Sequence, residues 1–304
     1  MPVTAGTARD TGWTAAGYLL TRVSPHGAST SAVLVADDPG METVRYGVEP
    51  HACFAQRAAG GLIDSRWCSL AHLDTLRTWL PGEGVLDSPD LTLYADDRIR
   101  IVFTPFDSAN PKAKVVFVGL TPGMAQLQLA LDETANAMRD GAKLDAALLR
   151  AKQVAAFAGS MRTNLISMLD GIGLHTALDL PSCSSLFGKD RLLADSTSAI
   201  CHAVFFRDRN YSGAPAIDKH PVLAAAAQQV LAANLAVSPR ALAVPLGRAA
   251  AQGVAIAGTD PARVLEGFPH PSGANGHRAS LYQASQARMT ETVRSWFGDL
   301  QVSG

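Results

Sequence analysis

Cysteine is scarce in this chain, and no two cysteines are spaced like a metal-binding pair. Cys53, Cys68, Cys183 and Cys201 lie far apart, without a C-x-x-C motif. This spacing argues against a zinc site or an iron–sulfur cluster and favours buried free thiols. No cofactor and no metal are therefore expected.

Long apolar runs are also lacking. No apolar segment approaches the ~20 residues that span a bilayer, and residues 1–20 lack the basic start and apolar stretch of a secretory signal. A cytoplasmic protein without membrane contact is therefore expected. With 304 residues, 47% hydrophobic and 17% charged, the chain can bury the core of a large globular domain.

Excess charge is small, since the net charge is only −1, which is unexpected for a protein that binds nucleic acid. The charges are nevertheless unevenly distributed. Residues 1–100 contain 8 basic and 12 acidic side chains, whereas residues 101–304 contain 18 and 15. The small surplus in the second part predicts a local phosphate-binding patch and argues against a broad basic face.

The segment Lys114–Gly123, KVVFVGLTPG, organises the rest of the chain. Its residues 115–118 are apolar without alternation, which is typical of a strand covered on both faces in a parallel sheet. A Gly-x-x-Pro-Gly turn and a helix-forming segment follow. Gly119 and Gly123 allow a ligand to approach the backbone, and Pro122 suits the first turn of a helix. The end of this strand is thus expected to form a site, although many α/β proteins have a similar turn.

A second turn rich in proline and glycine lies at Gly267–Gly276, GFPHPSGANG, after a strand-like stretch and before a helical tail. Between the two turns the pattern predicts strands at 198–206 and 241–246. It predicts helices at 222–235, 248–257 and 279–297, after two helices within 125–158 that break near 140–141 and a short helix at 162–169. This alternation predicts an α/β fold with a mainly parallel sheet between helices.

Residues 1–87 are interpreted as an N-terminal α+β elaboration of unknown role, and residues 88–304 as the main domain. Short strands are predicted at 18–23 and 32–36, a helix at 70–80, and a hairpin from 91–94 and 98–103. In the loop that leads into the central strand, Asp107 is expected to form an Asx turn.

Together, the two turns resemble those of the uracil-DNA glycosylase superfamily. In that superfamily a G-x-(D/N/A)-P-(Y/G) turn after the first core strand and a late H-P-S or N-P-S turn close on a base flipped out of DNA. The resemblance covers about residues 88–298. It implies a three-layer α/β/α sandwich with a central, mainly parallel four-stranded sheet, and a DNA glycosylase whose partner is DNA. The sequence leaves the oligomeric state open, and a monomer is favoured.

The resemblance also implies catalytic roles. His270 would donate a hydrogen bond to a carbonyl oxygen of the leaving base, with an ordinary loop histidine as the alternative interpretation. Thr121 occupies the position where uracil enzymes carry the Asp or Asn that activates or positions water, and a hydroxyl cannot act as a general base at neutral pH. Gln126, one helical turn further on, is another candidate for positioning water; otherwise it is a solvated helix residue.

The base would be bound by the first turn and by the segment that follows the second strand. The strictest uracil enzymes have a tyrosine at the position of Gly123 that excludes C5 substituents, so glycine predicts room for a 5-substituted base. A charged surface turn at 207–213 is the alternative to base recognition there. The candidate base-binding residues are Gly119, Leu120, Pro122, Gly123, Asn210, Tyr211 and Asn164.

The late turn would bind the DNA backbone. Ala274 occupies the position from which relatives insert a Leu or Arg wedge into DNA, and its small size departs from that pattern. Each basic candidate is equally well explained as a solvated charge. The candidate DNA-binding residues are Ser272, Gly273, Ala274, Asn275, Arg278, Arg248, Arg207, Arg209 and Lys219.

The leading functional hypothesis is a DNA glycosylase that removes a modified pyrimidine and leaves an abasic site. Glucosylated 5-hydroxymethylcytosine in phage DNA is one such base, and anti-phage defence is a setting suggested by analogy. The alternatives are uracil-DNA glycosylase activity in repair and a catalytically silent nucleic-acid-binding module. A dinucleotide-binding protein is disfavoured, because the turn lacks G-x-G-x-x-G.

Overall fold

The computed structural model describes residues 62–302 except Glu83 and Ala158, and three short strands nearer the start of the chain. The chain divides into two compact units, Met1–Tyr46 and Gly47–Gly304. No helix in the described part combines the length and apolar character needed to cross a membrane.

The first unit contains an antiparallel sheet of three strands in the order β1-β2-β3. The strands are β1 Trp13–Ala16, β2 Leu19–Val23 and β3 Ser29–Val33. The predicted strand at 18–23 is confirmed by β2. The one predicted at 32–36 overlaps β3 only at its first two residues, and residues 34–36 lie outside the described part of the chain.

The second unit begins with 3-10 turns at Ser65–Trp67 and Ser69–His72, followed by helix α1, Leu73–Thr78. The predicted helix at 70–80 is thus confirmed in its centre. Strands β4, Thr92–Ala95, and β5, Ile99–Val102, form the predicted hairpin. Asp96 stabilises the turn between them, because its Oδ1 accepts hydrogen bonds from the amides of Arg98 and Ile99 at 2.8 and 2.6 Å.

A parallel sheet with β6, Val115–Gly119, in the middle lies at the centre of the second unit. It is flanked by β7, Ala194–Ser198, and β10, Leu242–Pro245, and the order is β10-β6-β7. A single parallel bridge joins Ala243 of β10 to Val264. The predictions of an α/β fold and of a central strand in a parallel sheet are confirmed for these three strands.

The second core strand is not the predicted one. Residues Ala203–Phe206 form β8, which belongs to a separate antiparallel sheet in the order β4-β5-β8-β9, with β9 at Arg209–Asn210. The parallel partner of β6 is instead β7, with sequence ADSTS, whose five residues are all half-buried. The prediction was wrong because it followed the apolar pattern, which marks the AVFF segment of β8 as a core strand. β7 lies at the edge of the parallel sheet and therefore needs no apolar run.

Helices pack against both faces of β6. The helices after β6 are α2 Met124–Arg139, α3 Leu144–Ala155, α4 Ser160–Gly171, α5 Leu174–Ala177, α6 Pro221–Ala226, α7 Ala232–Val237, α8 Arg248–Ile256 and α9 Arg278–Val302. All the predicted helices are confirmed, with a π turn at Ala227–Leu231 joining α6 to α7, whereas α5 was not predicted. Val116 and Val118 belong to one core with residues of α2 and α8, and Val115 and Phe117 belong to another with residues of α4 and α9.

Two predictions about individual side chains have clear outcomes. Cys68, Cys183 and Cys201 are buried free thiols as expected, and Cys53 lies outside the described residues. The Asx turn at Asp107 is wrong. Its buried carboxylate accepts hydrogen bonds from the amide of Ser69, at 2.9 Å, and from the Ser69 hydroxyl, so it links the loop before β6 to a distant turn.

Candidate active site

The carboxyl ends of the three parallel strands surround a cavity of about 820 Å³. The turn after β6 and the late turn, which the sequence placed in one site, meet there although about 150 residues separate them. Of the predicted site residues, the following line the cavity: Gly119, Leu120, Thr121, Pro122, Gly123, Gln126, Asn210, Tyr211, His270, Ser272, Ala274 and Asn275.

The turn after β6 is fixed by Gln126, whose amide binds backbone groups at both ends. Its Oε1 accepts a hydrogen bond from the Gly123 amide at 3.1 Å, and its Nε2 donates to the Ala155 carbonyl at 3.2 Å. Gln126 thereby fastens the start of α2 to the end of α3. Gly123 has φ −85°, so its backbone does not require glycine.

The hydroxyl of Thr121 is also engaged with the backbone. It donates a hydrogen bond to the carbonyl of His202 at 2.7 Å and accepts one from the amide of Val204 at 3.0 Å. The single hydroxyl proton is therefore committed, and one lone pair remains for water. This contact joins the turn after β6 to the antiparallel sheet.

His270 is held so that one ring nitrogen is available to a ligand. Its Nδ1 lies 3.2 Å from the amide nitrogen of Ser272, and because an amide donates, Nδ1 must be the unprotonated nitrogen. Burial lowers the pKa of His270 below its usual 6.5, so the neutral ring persists at neutral pH. A neutral ring with Nδ1 as acceptor carries its proton on Nε2. His270 thus presents a neutral N–H donor at the cavity.

Two further side chains fix the His270 loop from outside the cavity. Asn164 donates to the carbonyl of Pro271 at 2.9 Å, and Arg278 donates to the carbonyl of Ser272 at 2.7 Å. Neither residue lines the cavity. Their positions indicate support of the loop, whereas the sequence suggested contact with base for Asn164 and with DNA for Arg278.

Asn210 and Tyr211 form the wall beside Gly123. Asn210 accepts a hydrogen bond from the amide of Met124 at 3.0 Å, and its Nδ2 lies 3.4 Å from the position of a Cβ on Gly123. The space next to this glycine is thus partly filled. Tyr211 is buried, and its hydroxyl donates a hydrogen bond to the carbonyl of Pro215. Burial raises the pKa of this hydroxyl to about 12. Little of its ring is exposed for stacking.

The sequence reasoning missed the β7 side of the cavity, which Ser196, Thr197 and Ser198 line. The Oγ of Ser198 lies 3.3 Å from the position of a Cβ on Gly119, so any larger residue at 119 would crowd it. The polar stretch at 194–198, directly before the apolar β8 segment, was the available signal. Nothing in the sequence distinguishes Lys152, which also lines the cavity, from an ordinary solvated lysine on a helix.

The remaining candidates for DNA binding do not line this cavity. Lys219 forms a surface ion pair with Asp218 at 3.3 Å, and the guanidinium of Arg207 lies 5.3 Å from the ring centroid of Phe206. Arg209 and Gly273 are exposed. Arg248 lines a neighbouring cleft of about 720 Å³, together with Arg288, His270 and Asn275.

The cavity offers hydrogen-bond donors and hydroxyls without an acidic group. Among the described residues that line it, none is Asp or Glu. Within the same part of the chain, no three or more His, Cys, Asp or Glu side chains are grouped to hold a metal ion. The arrangement can therefore donate a hydrogen bond from His270 to a bound group, but its lining side chains supply no carboxylate as a general base.

The chain is 36% identical, over 211 residues, to "Uncharacterized protein YoxB" of Bacillus subtilis (strain 168). The match covers 67% of this chain and 82% of that protein. No protein-family model matches the chain, and no solved structure does. The chain therefore belongs to the same family as YoxB.

Proposed function

We propose that this member of the YoxB family is a DNA glycosylase that hydrolyses the N-glycosidic bond of a flipped-out, modified pyrimidine. The observation that carries the proposal is the hydrogen bond from the Ser272 amide to His270 Nδ1, which leaves the proton on Nε2 of a ring that lines a cavity built from two distant turns. Departure of a pyrimidine places negative charge on its carbonyl oxygens. A fixed donor at such an oxygen stabilises the transition state as an oxyanion-hole donor does.

The proposed fold is the three-layer sandwich with four parallel strands that the resemblance to uracil-DNA glycosylases implies. The single bridge between Ala243 and Val264 supports it, because Val264 would be the fourth strand beside β10. The helices on both faces of β6 support the layered arrangement.

In the proposed reaction the bond between C1′ and the nitrogen of the pyrimidine breaks without proton abstraction by a general base. The sugar becomes an oxocarbenium-like cation while the base leaves as an anion bound to His270. Water then attacks C1′ and loses a proton to solvent, which gives an abasic site. This order fits a cavity lined without Asp or Glu among the described residues, since no general base is needed before the bond breaks.

The two turns would bind different parts of the DNA. The backbone of 119–123 and the wall around Asn210 would enclose the base, and Ser272 with the neighbouring loop would contact the phosphates. The alternative of a silent binding module is favoured by one observation: the Thr121 proton is committed to the His202 carbonyl. Such a module would bind DNA without releasing any base.

The test is base release from duplex oligonucleotides of one sequence that contain cytosine, uracil, 5-hydroxymethylcytosine or its glucosylated form. After incubation with the full chain, alkali cleaves each strand at abasic sites, and gel electrophoresis measures the product. Cleavage at the modified base supports the proposal. Cleavage at uracil alone would assign repair, and DNA binding without cleavage at any base would assign the silent module.

A further inference from the structure

The cavity extends sideways across the sheet, beyond the region next to His270. The strand order is β10-β6-β7. The His270 loop lies on the β10 side, because it contacts Gly247 directly after β10, and Ser196 and Ser198 lie on the β7 side. Adjacent strands lie about 4.8 Å apart, so roughly 10 Å separates these two sides. A pyrimidine ring is smaller than this distance. The side formed by Ser196, Ser198, Lys152, Phe106 and Phe157 is called the β7 wall below.

The hydroxyls of the β7 wall are available to a ligand. Ser196 and Ser198 are half-buried, and neither Oγ makes a hydrogen bond within the part of the chain that the structure describes. Each hydroxyl supplies one donor and two acceptor lone pairs. Half-buried hydroxyls without partners at a cavity suit a ligand that itself carries hydroxyl groups.

Lys152 adds polarity to this wall without net charge. The residue is 7% exposed, and its Nζ donates to Asp195 Oδ1 at 2.7 Å and to the carbonyl of Ser108. The carboxylate of Asp195 neutralises the ammonium, and one of the three N–H groups is left for a ligand. A neutral pair favours an uncharged polar group over an anion at this position.

The other side chains of the wall are apolar. Phe106 and Phe157 line the cavity, and Phe157 packs edge-on against Phe117 of β6 with ring centroids 6.5 Å apart. Apolar faces combined with a few placed polar groups are usual in small-molecule sites. A sugar ring matches this combination, since it has apolar C–H faces and a rim of hydroxyls.

The geometry of a pyrimidine connects this wall to the proposed reaction. C2 and C5 are opposite corners of the six-membered ring, so a base whose O2 accepts from His270 directs its C5 away from His270. We propose that the β7 wall is a subsite for an uncharged, hydroxyl-bearing substituent on C5, such as a hexose. The orientation of the base, and therefore this assignment, rests on the proposed function.

The test compares release of 5-hydroxymethylcytosine with release of its glucosylated form from duplexes of one sequence. The variant is Ser196→Ala combined with Ser198→Ala, and the control combines Ser184→Ala with Ser295→Ala, two exposed serines away from the cavity. We expect the rate ratio, glucosylated over unglucosylated, to fall at least ~10-fold in the β7 variant, as lost hydrogen bonds to the sugar require. The control should keep the wild-type ratio. An unchanged ratio in the β7 variant would overturn the subsite.

A binding experiment separates failure of the subsite from failure of the catalytic proposal. Duplexes with a 2′-fluorinated target nucleotide resist base release, because the fluorine disfavours the oxocarbenium-like sugar. With His270 left in place, fluorescence anisotropy measures the Kd of the two duplexes in this form and of a third that carries 5-carboxycytosine. The subsite predicts tightest binding of the glucosylated duplex, and loss of this preference when Ser196→Ala and Ser198→Ala are added. This pattern without base release by the wild type would reject the glycosylase and keep the subsite. Equal binding of all duplexes, or tightest binding of the carboxylated one, would overturn the subsite.

Discussion

Gly247 and His270 are in direct contact: a Cβ atom on Gly247 would stand 3.0 Å from the Cβ of His270 and 3.4 Å from its backbone nitrogen. Gly247 also has φ +94°, a conformation that other residues rarely adopt. The glycine between β10 and α8 therefore sets the position of the histidine.

We expect Gly247→Ala to reduce base release by up to ~10²-fold, because the added methyl group displaces His270 from its working position. Gly258→Ala is the matched control, since Gly258 has φ +69° at the other end of α8 and no atom within 4 Å of its Cβ position. Thermal unfolding should show destabilisation of both variants, larger for Gly247→Ala, because its φ of +94° and ψ of +169° lie in a region open almost only to glycine. Equal loss of base release in both would contradict a specific contact with His270.

His270→Ala should lower base release by about 10²- to 10³-fold while the protein stays folded, because it removes the donor to the leaving base. His175→Ala, a substitution in the short helix α5, serves as the control and should retain wild-type rates. Single-turnover kinetics and circular dichroism measure the two properties. A His270→Ala variant as active as the wild type would remove the proposed mechanism.

The same histidine predicts a pH profile. Protonation would put a second N–H on Nδ1, opposite the Ser272 amide, and break the contact that orients the ring. Burial lowers the His270 pKa, so the neutral ring survives below pH 6.5. Base release should therefore be constant from about pH 8 to 6.5 and fall only in more acidic solution. A decline that begins above pH 6.5 would show that another group controls the rate.

Arg278 and Arg248 should behave differently when each is replaced by Ala. Arg278 donates to the carbonyl of Ser272, so its loss should slow base release with little effect on the salt dependence of DNA binding. Arg248 lines the open cleft with Arg288. Its loss should weaken binding to all sequences and reduce the slope of log K against log salt by ~0.9.

Binding titrations at several salt concentrations, with single-turnover rates for the same proteins, separate the two roles. Arg294→Ala is the control for Arg248, since Arg294 pairs with Glu291 on α9 and lines no described cavity near the site. A reduced salt slope for Arg278→Ala would assign that arginine to the phosphates after all.

Folding stability should decrease as the pH falls from 6.5 to about 4. Burial lowers the pKa of His202 to about 4, and His202 Nδ1 accepts a hydrogen bond from the Thr104 amide at 3.1 Å. Between these pH values the unfolded chain binds the proton and the folded chain does not, so acid favours unfolding. The effect is on the order of 3 kcal/mol. Urea midpoints at several pH values measure it, and the dependence should be weaker in His202→Gln.

The sequence was informative wherever hydrophobicity alone determines an element. β6 was predictable because both of its faces are buried, and the helices after it were predictable from their apolar spacing. β7 was not, because it is an edge strand with half-buried polar residues, so its side chains gave no apolar signal. That single error moved the expected end of the second parallel strand from Ser198 to Phe206.

The site itself was predictable only in its two turns. Their proline and glycine residues mark them in the sequence, and the structure brings them to one cavity. The roles of side chains that act through contacts were not predictable, since a sequence does not show which carbonyl an Arg278 or an Asn164 reaches. The inference of open space at Gly123 was also incomplete, because Asn210 partly fills that side from another sheet.

The order of strands in the parallel sheet has a consequence for biosynthesis. β6 is complete at residue 119, but its neighbours β7 and β10 end at residues 198 and 245. At about 5–20 residues per second, a ribosome needs on the order of 10 s to supply both. Until β7 is complete, the nascent chain carries an apolar strand with neither edge paired, a species prone to associate with other chains. The parallel sheet can therefore close on both edges of β6 only after residue 245 has been synthesised.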